Sequence, residues 1–317
     1  MVRRYVPPRF IFRRRGAHGM RRSLLALCAC LLLLAGCSSR ERPVASFTAT
    51  PARLVLPYPG FSRLQLKWMP ERALTGASGR VRVFVHLLSG PGQVARTFDH
   101  GLPARWRAGQ EIEDEVDLYQ SALAPPLAPG NYRLSVGLYD EAGRRWSLAG
   151  GESVGRDEYL AAEVEVPPPG RNTPGFTFVG DWGNPEAGSD RQILARRWLL
   201  GKGEIGVGPL AGPASLLIGF EIPAVTGGQE RMIFNGHSTT PALFIDSSCN
   251  GPQMSVSGQG LQWVEYPVEP GANGRCTLSL QTNFKLVSAD GGEERSIALG
   301  ALAIAPRRQQ LPGEEER

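Results

Sequence analysis

Two glycine-framed motifs in the sequence have the residue types for catalysis or cofactor binding. Gly151-Glu152-Ser153-Val154-Gly155 matches G-x-S-x-G, which would present Ser153 as a nucleophile on a sharp strand-to-helix turn. That elbow needs a helix after the serine and an acid and histidine positioned by a parallel α/β sheet. The segments around it alternate at strand period instead, so the run is expected to be a hairpin loop. Gly201-Lys202-Gly203-Glu204-Ile205-Gly206 matches G-x-G-x-x-G, whose chemistry is pyrophosphate binding at a helix N-terminus. Pro209, Pro213 and an apolar strand follow, so no such helix can start, and turns are expected over 201–206. Histidines are scarce: His18, His86, His100 and His237. His86 lies opposite the apolar row of its strand and is expected to be packed or hydrogen-bonded, while His100 and His237 fall in loops and are expected to be solvated. Glu111, Glu113, Glu115 and Asp117 could ligate calcium, but a same-face acidic row is the mark of a solvated strand that resists edge pairing. No catalytic residue, metal site or cofactor is assigned.

Charge places these residues in context. The chain has 317 residues and a formal charge of +5, but eight of its 35 basic residues lie in positions 1–36, which contain no acid. The remaining 27 basic residues face 30 acidic ones, so the folded part would on average repel a polyanion, and nucleic acid is excluded as a partner. Met20-Arg21-Arg22-Ser23, the apolar run Leu24 to Leu34 and Ala35-Gly36-Cys37 follow in order. The arginine pair holds the n-region on the cytoplasmic side, and the apolar run is too short to span a hydrocarbon layer of ~30 Å. Leu34-Ala35-Gly36-Cys37 resembles the bacterial lipobox, in which a diacylglyceryl cysteine becomes the mature N-terminus. The resemblance implies lipidation of Cys37, export, and a membrane partner reached through the lipid. Ser38 after the cysteine implies outer-membrane sorting, and Met20 is an alternative start.

Once Cys28 and Cys30 leave with the signal, the mature fold retains Cys249 and Cys276 besides the lipidated Cys37. Two cysteines in an oxidising compartment predict a disulfide, with two separate buried thiols as the alternative, and a metal would need more ligands than His237 offers.

Glycine (39) and proline (26) make about a fifth of the chain, which disfavours long helices and supplies turns. The predicted class is all-β: two β-sandwich domains, Ig-like then jelly-roll-like, joined by a Pro-rich linker. Residues 1–36 are the signal, 37–43 a tether, 44–166 the first sandwich, 167–175 the linker, 176–306 the second sandwich and 307–317 a disordered tail. Leu64, Leu66 and Trp68 alternate with Arg63, Gln65 and Lys67; Val81, Val83, Val85 and Leu87 form a second row; Tyr132, Leu134, Val136 and Leu138 form a third. Pro167-Pro168-Pro169-Gly170 to Pro174-Gly175 reads as a stiff boundary. In the second half, separate strands are expected at 195–200 and 203–207, and others at 176–179, 214–222, 231–235, 242–246, 253–256, 262–268, 276–282 and 296–304.

The run Val83-Phe84-Val85-His86-Leu87-Leu88, Asp99, Trp106-Arg107-Ala108-Gly109-Gln110 and Leu127 to Asp140 resembles the extracytoplasmic β-sandwich modules appended to bacterial membrane glycosyltransferases. It covers about 60 residues and implies a fold, with no established chemistry. The second half, through Trp182, Glu186, Arg197-Trp198 and Asn235-Gly236, resembles galactose-binding-like jelly-roll modules. Sugar-binding sandwiches offer flat aromatic faces to C–H groups and polar side chains to hydroxyls. Trp182, Glu186, Asp190, Arg197, Trp198, Asn235 and Trp263 supply those types, and core packing is the competing role for Trp198 and Trp182. The expectation is a non-catalytic envelope protein that binds a polysaccharide or scaffolds other envelope proteins, a polysaccharide hydrolase being the remaining alternative.

Overall fold

The computed structural model describes residues 42–74, 77, 79–103, 106–188, 192–225, 230–236, 239–288 and 294–307. The expected signal, the Cys37 lipidation site, most of the tether, Asp190, His237 and the tail beyond Arg307 lie outside them. Every regular element among the described residues is a strand. The first half holds β1 (Ala45–Thr50), β2 (Arg53–Val55), β3 (Gly60–Pro70), β4 (Val81–Gly90), β5 (Gln93–Thr97), β6 (His100–Gly101), β7 (Ile112–Gln120), β8 (Gly130–Asp140), β9 (Arg145–Trp146), β10 (Leu148–Ala149), β11 (Ser153–Gly155) and β12 (Glu158–Val166). The second holds β13 (Gly175–Ala187), β14 (Ala195–Gly208), β15 (Ala214–Ile222), β16 (Glu230–Phe234), β17 (Ala242–Ser247), β18 (Met254–Ser257), β19 (Gly260–Val268), β20 (Cys276–Thr282), β21 (Phe284–Ser288) and β22 (Ala298–Pro306).

Period-two alternation explains the first half. A four-stranded sheet, β10-β1-β3-β7, faces a larger one built on β11-β12-β8-β4-β5. Leu64, Leu66 and Trp68 point inward from β3 against Val83, Val85 and Leu87 of β4 and Leu134, Val136 and Leu138 of β8, all fully buried. Each such side chain gains roughly 1.5–3 kcal/mol on leaving water. The outward residues of β3 meet the acidic row of β7 in register, Lys67 opposite Glu113 and Arg63 opposite Asp117. Lys67 Nζ lies 2.9 Å from Glu113, and Arg63 Nε 3.0 Å from Asp117 and 3.3 Å from Glu115. β7 is an edge strand, and its acids are answered by cations of β3. The Gly151–Gly155 motif lies at the β11–β12 hairpin, with Ser153 opposite Tyr159.

The two described histidines, His86 and His100, are tied into the sandwich. His86 stacks on Phe84 with centroids 4.8 Å apart, and its Nε2 is 3.4 Å from Asp99 Oδ1. Asp99 also accepts hydrogen bonds from Val85 N–H and Tyr139 Oη. His100 corrects the expectation of a solvated loop. It sits in β6, with Nε2 2.9 Å from Asp114 Oδ2 and Nδ1 3.2 Å from the Phe98 carbonyl. Burial alone would lower its pKa, but the Asp114 bond and charge and the Phe98 carbonyl raise it overall.

In the second half the larger sheet, β18-β17-β20-β14-β22-β15-β19, is carried through β14, β13 pairs with β14, and β16 and β21 form a separate two-stranded ribbon. β14 bonds β20 over 202–207 and β22 at Arg197 and Trp198, so one strand feeds both layers. Leu199, Ile205, Leu216, Ile218, Phe220, Leu278 and Leu280 fill the core between them. The expected turns at 201–206 do not form, and the two strands expected there are one. The glycines serve close approach instead: a Cβ on Gly203 would lie 2.4 Å from Trp182 Nε1, and one on Gly206 2.5 Å from Thr177 Oγ1. The structure pairs Cys249 with Cys276, Cα atoms 5.5 Å apart.

The described residues from Pro43 onward belong to one compact unit. Leu217 of β15 and Ala301 and Ala303 of β22 are buried in the core of the first half. The small side chains of β22 let backbones meet: Ala122 N–H donates to the Leu302 carbonyl (2.7 Å), and Leu302 N–H donates to Ser121 Oγ (3.1 Å). Tyr119 of β7 packs on Trp263 of β19, ring centroids 5.0 Å apart, and its hydroxyl donates to the Gln192 carbonyl at 2.7 Å. Arg63 bonds Glu265 of β19 as well as Asp117. Burial raises the Asp117 pKa against the pull of Arg63. At Glu265 burial is outweighed by Arg63, Ser215 and Arg307, which lower it. The Pro-rich segment 167–174 contains a turn in which Thr173 N–H and Oγ1 both donate to the Gly170 carbonyl.

Candidate ligand-binding face

Of the residues singled out for recognition, Trp182, Glu186, Arg197 and Trp198 gather on the β13–β14 hairpin, while Asn235 and Trp263 lie elsewhere. Trp182 pairs with Leu199, Pro185 with Arg197 and Glu186 with Arg196. The Trp182 ring is half-buried, packs edge-on to Phe178 (5.2 Å, 80°) and lies across Gly203, with Nε1 donating to the Glu204 carbonyl at 3.3 Å. Trp198 is only 7% exposed, between the guanidinium groups of Arg196 (5.3 Å) and Arg295 (4.3 Å). Glu186 accepts from Trp198 Nε1 (3.2 Å) and Arg196 Nε (3.1 Å), so its carboxylate braces the hairpin. Arg197 donates from Nε to the Gly183 carbonyl (2.8 Å) and lies over Phe178 at 4.6 Å. Asn235 follows β16, in the separate β16–β21 ribbon, exposed, with its N–H donating to the Asn283 carbonyl. Trp263 packs over Gly219 and against Tyr119. In this arrangement both hairpin tryptophans spend their faces and N–H groups on the protein itself.

A different surface has the attributes sought. On the outer face of β14-β20-β17-β18 a groove of about 520 Å³ is lined by Lys202, Phe244, Asp246, Gln253, Ser255, Ser279 and Gln281. Strand alternation builds it: Leu243 and Ile245 point into the core, so Phe244 and Asp246 point out, and Phe244 is 46% exposed. The register aligns Lys202, Gln281, Phe244 and Ser255 in one row across four adjacent strands. Glu204, Ser279 and Asp246 form the next row, where Gln253 Nε2 donates to Asp246 Oδ2 at 3.4 Å. Among the described residues nothing pairs with Lys202 Nζ, the Gln281 amide or the Ser255 and Ser279 hydroxyls. The signal for Phe244 in the sequence is an aromatic on the polar phase of Ala242-Leu243-Phe244-Ile245-Asp246, which sequence reasoning treated only as a strand.

A second cavity, about 620 Å³, is mainly apolar. It is lined by Tyr58 and by prolines of four segments, 57–59, 167–174, 209–213 and 306. Among the described residues no group of three or more His, Cys, Asp or Glu could hold a metal ion. No protein-family model matches the chain, and no curated protein is significantly similar to it.

Proposed function

We propose that the protein is exported, anchored in the membrane through lipid on Cys37, and acts without catalysis as a binding protein for an envelope polysaccharide. The observation that carries the binding reading is the outer-face groove, where a solvent-facing aromatic is surrounded by amides, hydroxyls and one charge of each sign. An aromatic ring meets sugar C–H faces, and the polar groups exchange water for hydroxyls at little cost. The anchor reading rests on the order Arg21-Arg22, apolar run, Leu34-Ala35-Gly36-Cys37. Three acyl chains hold a protein to a bilayer where one gives marginal binding. Outer-membrane sorting belongs to the same reading through Ser38. The proline-lined cavity favours a second reading, a scaffold that docks other envelope proteins on a mainly apolar surface.

Fractionation of cells expressing wild type and Cys37→Ala tests the anchor: wild type pellets with membranes and the variant is released, and membrane retention of the variant overturns anchoring. Co-sedimentation of the detergent-solubilised chain with purified envelope polysaccharide tests binding. Co-sedimentation supports it, and its absence, with envelope proteins captured by crosslinking instead, leaves the scaffold.

A further inference from the structure

The groove on β14, β20, β17 and β18 carries the argument further than the general reading. Three features bear on what it takes. First, the row Lys202, Gln281, Phe244 and Ser255 crosses four strands, three interstrand spacings of ~4.8 Å or about 14 Å in all, longer than one sugar ring. Second, its volume of about 520 Å³ falls in the range of small-ligand sites, ~300–1,000 Å³. Third, its charges balance, one ammonium at Lys202 and one carboxylate at Asp246 among amides and hydroxyls. The outer face of β3 and β7 shows the contrast, since there Lys67 and Arg63 are spent on facing acids. The polar ends of Lys202, Gln281, Ser255 and Ser279 are left to solvent, while the backbone of all four strands is held in register.

We infer that this groove binds an uncharged oligosaccharide segment laid across the strands, with the Phe244 ring under one sugar and Gln281, Ser255 and Ser279 bonding the hydroxyls of its neighbours. This inference rests on the polysaccharide-binding reading above. Asp246, already oriented by Ser247 N–H (2.8 Å) and Gln253, accepts from a hydroxyl pair, and Lys202 donates at the far end of the row. The balance of charge in the lining selects against polyanions, whose phosphate or carboxylate groups would gain one cation and meet Asp246, with Glu204 beside the groove in the same row.

The test is isothermal titration of the full detergent-solubilised chain with neutral hexasaccharides of glucose, mannose, galactose and N-acetylglucosamine, and with heparin as the polyanion. Phe244→Ala, Phe244→Tyr and Gln281→Ala are compared with wild type, with melting curves to show that these exposed substitutions leave the fold intact. Saturable binding of a neutral sugar, weakened about tenfold or more by Phe244→Ala and restored by Phe244→Tyr, is the expected result. Neutral binding untouched by Phe244→Ala and Gln281→Ala overturns the groove while leaving the polysaccharide reading in place. Binding of heparin alone overturns the uncharged ligand. No binding of any probe, including whole envelope polysaccharide, overturns both.

Discussion

Leu217 sits on a strand of the second half with its side chain 1% exposed in the core of the first, so Leu217→Ala tests whether the two halves are one folding unit. Its companions from the second half are Ile193, Ala301 and Ala303, and the two alanines are too small to fill the space. A buried leucine truncated to alanine costs about 2–5 kcal/mol, and a site that closes only in part belongs near the middle, at ~3 kcal/mol. At tenfold per ~1.4 kcal/mol, the slowest-exchanging amides lose protection by roughly 150-fold. Native-state hydrogen exchange read by mass spectrometry separates peptides of β3 and β8 from those of β20. The expected outcome is an equal fall in all three. Protection of β3 and β8 unchanged beside a fall in β20 would mean that the first sandwich is stable on its own, and would refute the shared core.

Three further outcomes follow from the same structure. Cys249→Ser opens the link between residues 27 positions apart, worth ~3–4 kcal/mol in the chain-entropy model, and should lower the melting midpoint by several degrees. Equal midpoints for wild type and variant without reductant would count against a formed disulfide. Ser121→Ala deprives the N–H groups of Leu302 and Leu123 of their acceptor inside the interface, at a cost of about 1–3 kcal/mol in urea unfolding; a change below ~0.5 kcal/mol would show that water replaces the hydroxyl. His100 has a folded-state pKa raised above its unfolded value, so its contribution is complete below the unfolded pKa of ~6.5 and is lost as pH climbs through the folded one. Wild type should therefore lose stability relative to His100→Gln as pH rises above about 6.5, and parallel pH profiles would remove the Asp114 pairing as the cause.

The strand rows were legible because one face of each strand is buried and the other is not. Leu64, Leu66 and Trp68 declare β3 by alternation alone, and all three are fully buried. Where both faces are buried the alternation vanishes: β15 and β22 carry near-continuous apolar runs, and nothing in them says that Leu217, Ala301 and Ala303 serve a different core from Leu216 and Leu302. That is why the Pro-rich segment reads as a boundary in the sequence, while in the structure β22 joins the cores on either side of it. β14 was misjudged for a related reason. Gly203 and Gly206 look like turn residues, yet each glycine removes a Cβ from a strand crowded by Trp182 and Thr177. Glycine marks a lack of space as readily as a change of direction.

The same ambiguity governs the candidate site. Tryptophans attract attention as sugar platforms because their area is large, but that area is also what makes them good core and bracing residues. Trp198 between two arginines and Trp182 across Gly203 show the second use. A residue's availability for a ligand depends on what its neighbours leave uncovered, and the neighbours of Phe244 are set by pairing with Ser255 and Gln281, 11 and 37 positions away. Spacing along the chain holds no trace of that row. What the sequence does hold is phase: an aromatic out of step with Leu243 and Ile245 must face outward if those two face in. Applied to every strand of the second half, that rule places Phe244, Lys202, Gln281 and Ser255 on the outer surface. Only the register of β14, β20, β17 and β18 turns four separate outward residues into one groove, and so into a site whose ligand can be tested.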